Sequence, residues 1–193
     1  AHAERVGQLA GELADALGAS RQYVALLKKA AYVHDVGKIG IPGTILNKAG
    51  ALDSEERERV GFHTLIGAEL LSGGRSKALQ LAEEVALYHH ERWDGTGYCG
   101  LRGDEIPLSA RITAVADAYD ALTHDRPYRK GIPAADAWDL IAAESGKQFD
   151  PEVVSALGRL LEDLPDVGHA ERELLNSRGC LPAGRNHPTD ILP

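Results

Sequence analysis

The stretch AHAERVGQLAGELADALGASRQYVALLKKAAYVHDVGKIGIPG (1–43) decides the fold class. His2, Val6, Leu9 and Leu13 recur at spacings of four, three and four, so they share one face of a helix. Gly18 ends that helix, and Ser20 is placed to cap the next. Tyr23, Leu27, Ala30 and His34 repeat the same spacing until GKIGIPG (37–43) breaks it. Two consecutive amphipathic helices, each carrying a histidine on its apolar stripe, set the pattern for the rest of the chain.

The pattern continues outward. Asp53 with Glu56 three residues on reads as a capping box opening a third helix, whose core face is Val60, His63, Gly67 and Leu70 and which Gly73-Gly74 closes. A fourth helix is expected over 76–91, with Ala78, Ala82, Val85 and His89 on one stripe. Residues 92–108, rich in glycine, form a long polar loop of the kind that tends to carry function. Ser109 is expected to cap a fifth helix running to Thr123, a sixth follows Pro133, and Asp150-Pro151 starts the last, which reaches about Leu164. No β-alternation of useful length appears. The expectation is an all-α, compact bundle of about six to seven helices with a metal site in its core, spanning residues 1–165. Residues 166–193 are expected to be a partly disordered tail with one short helical stretch near 168–176.

Composition narrows the function classes. At 193 residues, 44% hydrophobic and 26% charged, the chain is long enough for one domain with a real core. No apolar run approaches the roughly 18–20 residues of a membrane span. A net charge of −8 argues against binding a nucleic-acid polymer by phosphate neutralisation. Cys99 and Cys180 form neither a disulfide framework nor a CxxC pair, which fits a reducing cytoplasm. The chain begins at Ala1 and contains no Met, so a piece of a longer protein is expected.

The chemistry lies in where the histidines fall. His2, His34, His63 and His89 sit on the apolar stripes of separate helices, Asp35 follows His34, His90 follows His89, and Asp117 sits among small residues (Ala114, Ala116, Ala118, Ala121). A buried carboxylate is costly without a compensating cation. Imidazoles and carboxylates converging in a helical core suit a metal site, and such donors without thiolate suit Fe, Mn, Ni or Zn better than Ca or Mg, with Fe or Mn the expectation and Zn or Ni also compatible. These donors are too many for one tetrahedral ion, so two divalent ions are expected, with Asp35 able to bridge them. Two such ions can hold a bridging hydroxide for attack at phosphorus. Lys38 follows His34 by one helical turn and could steady a phosphate. Arg126 and Arg129 flank Pro127-Tyr128 with guanidinium forks suited to a phosphodiester, and Tyr98 and Trp93 could wall in a base.

HDVGKIGIP (34–42), HHERWDGTGY (89–98), RITAVADAYDALTHDRPYR (111–129) and FDP (149–151) resemble the signature segments of the HD-GYP family, in order and spacing, over about residues 2–160. That resemblance implies a helical phosphodiesterase that binds two or three metal ions and hydrolyses c-di-GMP to pGpG or GMP. It implies His2, His34, Asp35, His63, His89, His90 and Asp117 as metal ligands, Asp35 and Lys38 as catalytic, and Lys38, Tyr98, Arg126 and Arg129 as substrate-binding. It further implies an N-terminal sensory or receiver domain in the full protein and leaves room for a homodimer. The sequence departs from the family where Cys99 replaces the motif's proline, which restores a backbone N–H and frees a dihedral without removing a ligand. Arg129 stands where the family can carry lysine, and the adjacent Lys130 could share its role. Two other functions are compatible with the same pattern: hydrolysis of another nucleotide, such as a mixed cyclic dinucleotide, and a non-catalytic module that binds c-di-GMP or a partner.

Overall fold

The structure, a computed structural model, describes residues 1–126 and 129–162. Pro127, Tyr128, the expected boundary at 165, the tail 166–193 and its helical stretch lie outside the described residues. The described residues form helices α1 (His2–Ala16), α2 (Arg21–Tyr32), α3 (Gly43–Leu46), α4 (Ser54–Gly61), α5 (His63–Leu71), α6 (Lys77–Tyr88), α7 (Leu108–Thr123), α8 (Ala134–Ala143) and α9 (Pro151–Glu162), with 3-10 turns at Val36–Gly40 and Gly103–Glu105. Isolated bridges join Arg126 to Arg129 and Ser145 to Phe149; no strand forms among the described residues. None of the described helices is long and apolar enough to cross a membrane.

Several helix starts follow directly from side chains. Ser20 accepts from the Tyr23 N–H at 3.2 Å and Ser76 from the Leu79 N–H at 3.3 Å. Asp53 and Glu56 close a reciprocal capping box, each bond 2.9 Å. Asp150 accepts from the Glu152 N–H at 2.8 Å, which orders the first turn of α9. The fifth expected helix starts slightly earlier than Ser109: Pro107 is the N-cap, and the Ser109 hydroxyl donates instead to Glu84 on α6.

The third expected helix is two. Its ladder breaks at Phe62 because side chains take the carbonyls that would continue it. His63 Nδ1 lies 2.6 Å from the Val60 carbonyl, and the Thr64 hydroxyl donates to the Gly61 carbonyl at 3.0 Å. Helix α5 therefore begins anew at His63. Leu70, expected in the core, is 58% exposed, while His63, Thr64, Gly67 and Ala68 are buried.

Helix α7 is buried on nearly every side, as expected of a helix at the centre of a bundle. It packs against α1, α6, α8 and α9. The core around it contains Val6, Leu13, Leu27, Val85, Ile112, Val115, Ile141, Val153 and Leu157. Helix α2 packs between α1 and α6, and α5 packs on α6 and on the 3-10 turn at 36–40. This arrangement brings the ends of α2, α4 and α6 to one place.

Candidate metal centre

The helices end where the histidines begin. Helix α2 stops at Tyr32 and α6 at Tyr88, so His34, His89 and His90 lie past the last regular turn rather than within it, as the periodicity had suggested. A helix end leaves carbonyls without partners. The imidazoles take them: His34 Nδ1 is 2.7 Å from the Ala31 carbonyl, and His89 Nδ1 is 3.0 Å from Val85 and 3.1 Å from Ala86. With His63 on Val60, three buried histidines share one device. A carbonyl only accepts, so each Nδ1 carries the proton and each Nε2 presents a lone pair. This is how a metal-binding imidazole is usually held.

Those lone pairs converge. His63 Nε2 and His89 Nε2 are 3.4 Å apart, and Asp35 Oδ1 is 3.3 Å from the first and 3.9 Å from the second. His90 completes the group, its ring centroid 5.0 Å from that of His63. The other oxygen of Asp35, Oδ2, is 3.3 Å from His34 Nε2. Asp117 Oδ1 lies 3.2 Å from His2 Nε2 and 3.8 Å from His34 Nε2. Two sets can each surround a cation, Asp35–His63–His89–His90 and His2–His34–Asp35, and Asp35 belongs to both. Asp117 borders the second set through His2 and His34.

The residues fit metal ions. His34 Nε2, Asp35 Oδ1 and Asp117 Oδ1 are buried and make no hydrogen bond among the described residues. Buried polar atoms without partners are costly, and two facing imidazole lone pairs repel, unless a cation lies between them. Protonation points the same way. Burial, together with the nearby His63, pushes His90 down to about 3, and burial lowers His63 and His89 as well. In the second set, Asp117 and Asp120 push His2 up to about 9. Burial lowers His34, but the neighbouring Asp35 and Asp117 outweigh it. Burial likewise acts to raise Asp35, yet His34 and Lys38 hold it well below the usual carboxylate range. The carboxylates of this set thus favour positive charge beside them.

The surrounding groups hold this arrangement. Asp120 Oδ2 is 2.7 Å from His2 Nδ1, and its two oxygens take Arg5 at 2.5 and 3.0 Å. His124 approaches the same carboxylate at 3.2 Å. Lys38 Nζ is 2.7 Å from Asp35 Oδ2. A Cβ on Gly37 would lie 1.9 Å from the His63 carbonyl oxygen, so only glycine lets the 3-10 turn carrying Lys38 rest on α5.

The remaining candidates fall at the rim or beyond it. The Tyr98 ring is 5.5 Å from that of His90 and is 54% exposed. Arg126 and Arg129 pair through their backbones at 2.8 and 3.1 Å, and the Arg129 guanidinium donates to the Ala121 carbonyl in the last turn of α7. Lys130 pairs with Asp125 at 2.6 Å. Trp93 packs under Arg111, 5.5 Å from guanidinium carbon to ring centre, and Arg111 reaches Asp150 at 2.7 Å. The FDP segment therefore anchors the glycine loop.

Sequence reasoning missed Arg5, Arg111 and Glu91. Glu91 is 4% exposed and accepts from the N–H groups of Cys99 and Leu101. A glutamate directly after the His-His doublet was the available signal.

The HD domain family matches residues 1–153, and the chain belongs to that family. It is 46% identical over 187 residues to a cyclic di-GMP phosphodiesterase of Thermotoga maritima, covering 96% of this chain and 50% of that protein. It is 39% identical over 158 residues to 3'3'-cGAMP-specific phosphodiesterase 2 of Vibrio cholerae, covering 81% of this chain and 30% of that protein. The chain thus spans half or less of the length of these relatives. Among solved structures, Bd1817 of Bdellovibrio bacteriovorus, described as a HDG"Y"P protein, superposes with a TM-score of 0.67 at 22% identity, covering 83% of this chain and 51% of that one. That likeness supports the helical fold.

Proposed function

We propose that this domain is a metal-dependent phosphodiesterase of cyclic dinucleotides and that c-di-GMP is its substrate, cleaved to pGpG or GMP. The observation that carries this reading is the sharing of Asp35 between the two histidine sets, with the Lys38 ammonium on the same carboxylate. His63, His89 and His90 would hold one divalent ion with Asp35, and His2, His34 and Asp117 a second with the same residue. The imidazole and carboxylate donors suit Fe or Mn and are compatible with Zn or Ni. When bound, such a pair supplies an acidified water and Lewis acidity toward phosphoryl oxygens.

The chain's own groups do the rest. Asp35 holds the two ligand sets at fixed separation. Lys38 places a positive charge beside them, where charge develops on a phosphodiester under attack. Tyr98 stands at the rim beside His90 and offers a ring to a base. Arg126 and Arg129 would meet substrate phosphate from the segment after α7. Relatives named for cyclic di-GMP and for 3'3'-cGAMP both align here, so cyclic GMP-AMP is the second substrate to compare. The presence of Lys38 in the centre favours catalysis over a module that only binds. A cytoplasmic site of action, an N-terminal sensory or receiver domain and a homodimer belong to the same reading.

Incubation with c-di-GMP or 3'3'-cGAMP and Mn²⁺ or Fe²⁺, followed by separation of products, tests the proposal. Linear pGpG or GMP is expected, with c-di-GMP the better substrate. Asp35→Ala should lose both metal and turnover; turnover retained in that variant would overturn the assignment.

A further inference from the structure

Glu91 links the metal centre to the glycine loop. It follows His90 directly and is buried, at 4% exposure. Its Oε1 accepts from the Cys99 N–H at 2.6 Å, and its Oε2 accepts from the Leu101 N–H at 2.9 Å. Gly97 rests on the backbone of the same residue: a Cβ there would lie 2.7 Å from both Glu91 Cα and the Arg92 nitrogen. Tyr98, between these contacts, has its ring 5.5 Å from that of His90. A buried carboxylate that accepts two N–H bonds is satisfied only while the loop stays in this place, and charge-assisted bonds of this kind are among the stronger ones.

We infer that Glu91 is a positioning residue that sets Tyr98 at the mouth of the metal centre, and that in this chain it does so through the Cys99 N–H, a donor that proline at that position could not supply. The Cys99 thiol also lies beside the Glu91 carboxylate, and burial together with that carboxylate raises its pKa. Cys99 is exposed, and the contribution is made by its backbone. The loop is thus held here by a hydrogen bond to the residue next to a metal ligand. This inference rests on the phosphodiesterase reading for its kinetic consequence but not for its structural one.

Three variants, Glu91→Gln, Cys99→Pro and Cys99→Ala, test it with two readouts. The first is amide hydrogen exchange of residues 95–101 in the metal-loaded protein, which needs no turnover. Exchange at Leu101 should quicken roughly tenfold in Glu91→Gln, because the amide keeps one acceptor oxygen and turns its NH₂ toward the other donor. Cys99→Pro should quicken it less, and Cys99→Ala, which keeps the N–H, should leave it unchanged. The second readout is steady-state hydrolysis of c-di-GMP. KM should rise roughly tenfold in Glu91→Gln and about threefold in Cys99→Pro, with kcat within about threefold and metal content unchanged, since one or two hydrogen bonds that place a substrate contact are lost. Cys99→Pro matching the parent in both exchange and KM, or Cys99→Ala matching Glu91→Gln, would overturn the inference. If no variant and no parent protein turned over c-di-GMP, the substrate assignment would fail while the exchange pattern still decided the role of Glu91.

Discussion

Lys38 Nζ lies 2.7 Å from Asp35 Oδ2, the same oxygen that faces His34 Nε2 at 3.3 Å. The ammonium therefore touches the carboxylate common to both sets while remaining 28% exposed. Replacing Lys38 by Met should leave the ligands in place and remove the charge. Turnover is expected to fall about 100-fold, in the range seen when one group that stabilises developing charge is removed. Metal content, measured by mass spectrometry of the purified protein, should stay at the parent level. Loss of metal along with activity would assign Lys38 to holding Asp35 alone.

Asp120 grips His2 from behind at 2.7 Å and is itself held by Arg5. Groups that orient a metal-binding histidine in this way typically contribute 10–100-fold in metal affinity. Asp120→Asn should weaken the His2–His34–Asp35 set by about that factor and spare the set around His63. A titration with Mn²⁺ followed by calorimetry should then show one weakened site and one unchanged. Equal weakening of both would point to a general loss of structure.

Gly37 admits no side chain, because a Cβ would lie 1.9 Å from the His63 carbonyl oxygen and 2.4 Å from the Gly67 nitrogen. Both contacts are backbone and cannot swing aside. Gly37→Ala is expected to destabilise the domain by about 3 kcal/mol, the upper end for overpacking. Thermal unfolding of the metal-free protein measures it. A melting temperature equal to that of the parent would mean that the turn at 36–40 sits further from α5.

Without metal, the pKa values of His2 and His90 should be displaced in opposite directions. Asp117 and Asp120 push His2 up to about 9, and burial pushes His90 down to about 3. A raised histidine contributes stability that is complete below its unfolded value, about 6.5, and is lost as pH rises through the folded one. The metal-free domain should therefore lose stability between about pH 6.5 and 9 through His2. His90, with its folded value depressed, favours the folded state above about 6.5 and loses that contribution as pH falls toward 3. Histidine NMR titration of the metal-free protein checks both: His2 protonated and His90 neutral at pH 7. The reverse assignment would contradict the charge balance described for the two sets.

Much of this was legible in the sequence because caps and stripes are local. Ser20 and the Asp53–Glu56 pair act within one turn, and each does what its spacing suggested. The HD and HH doublets, with His2 and His63, named residues that the fold brings together. Helix ends were less legible. Periodicity carried α2 through His34 and α6 through Glu91, because it cannot register an imidazole that bonds the carbonyl three residues back and stops the ladder. Leu70 was misread too: His63 and Gly67 on the same stripe are buried, but Leu70, in the last turn of α5, is exposed. Arg5 and Arg111 act on partners 115 and 39 residues away, and no local pattern announces such pairings, whereas Glu91, whose partners lie 8 to 10 residues on, was signalled only by its place after the His-His doublet.

The proposed chemistry requires Asp35 to be common to two metal sites. Anomalous diffraction at the metal edge from crystals of the manganese- or iron-loaded protein tests it most directly. Two peaks per chain are expected about 3.5–4 Å apart, one near His63, His89 and His90, the other near His2 and His34, with Asp35 contacting both. A single peak, or two peaks with Asp35 bound to neither or to only one, would contradict it.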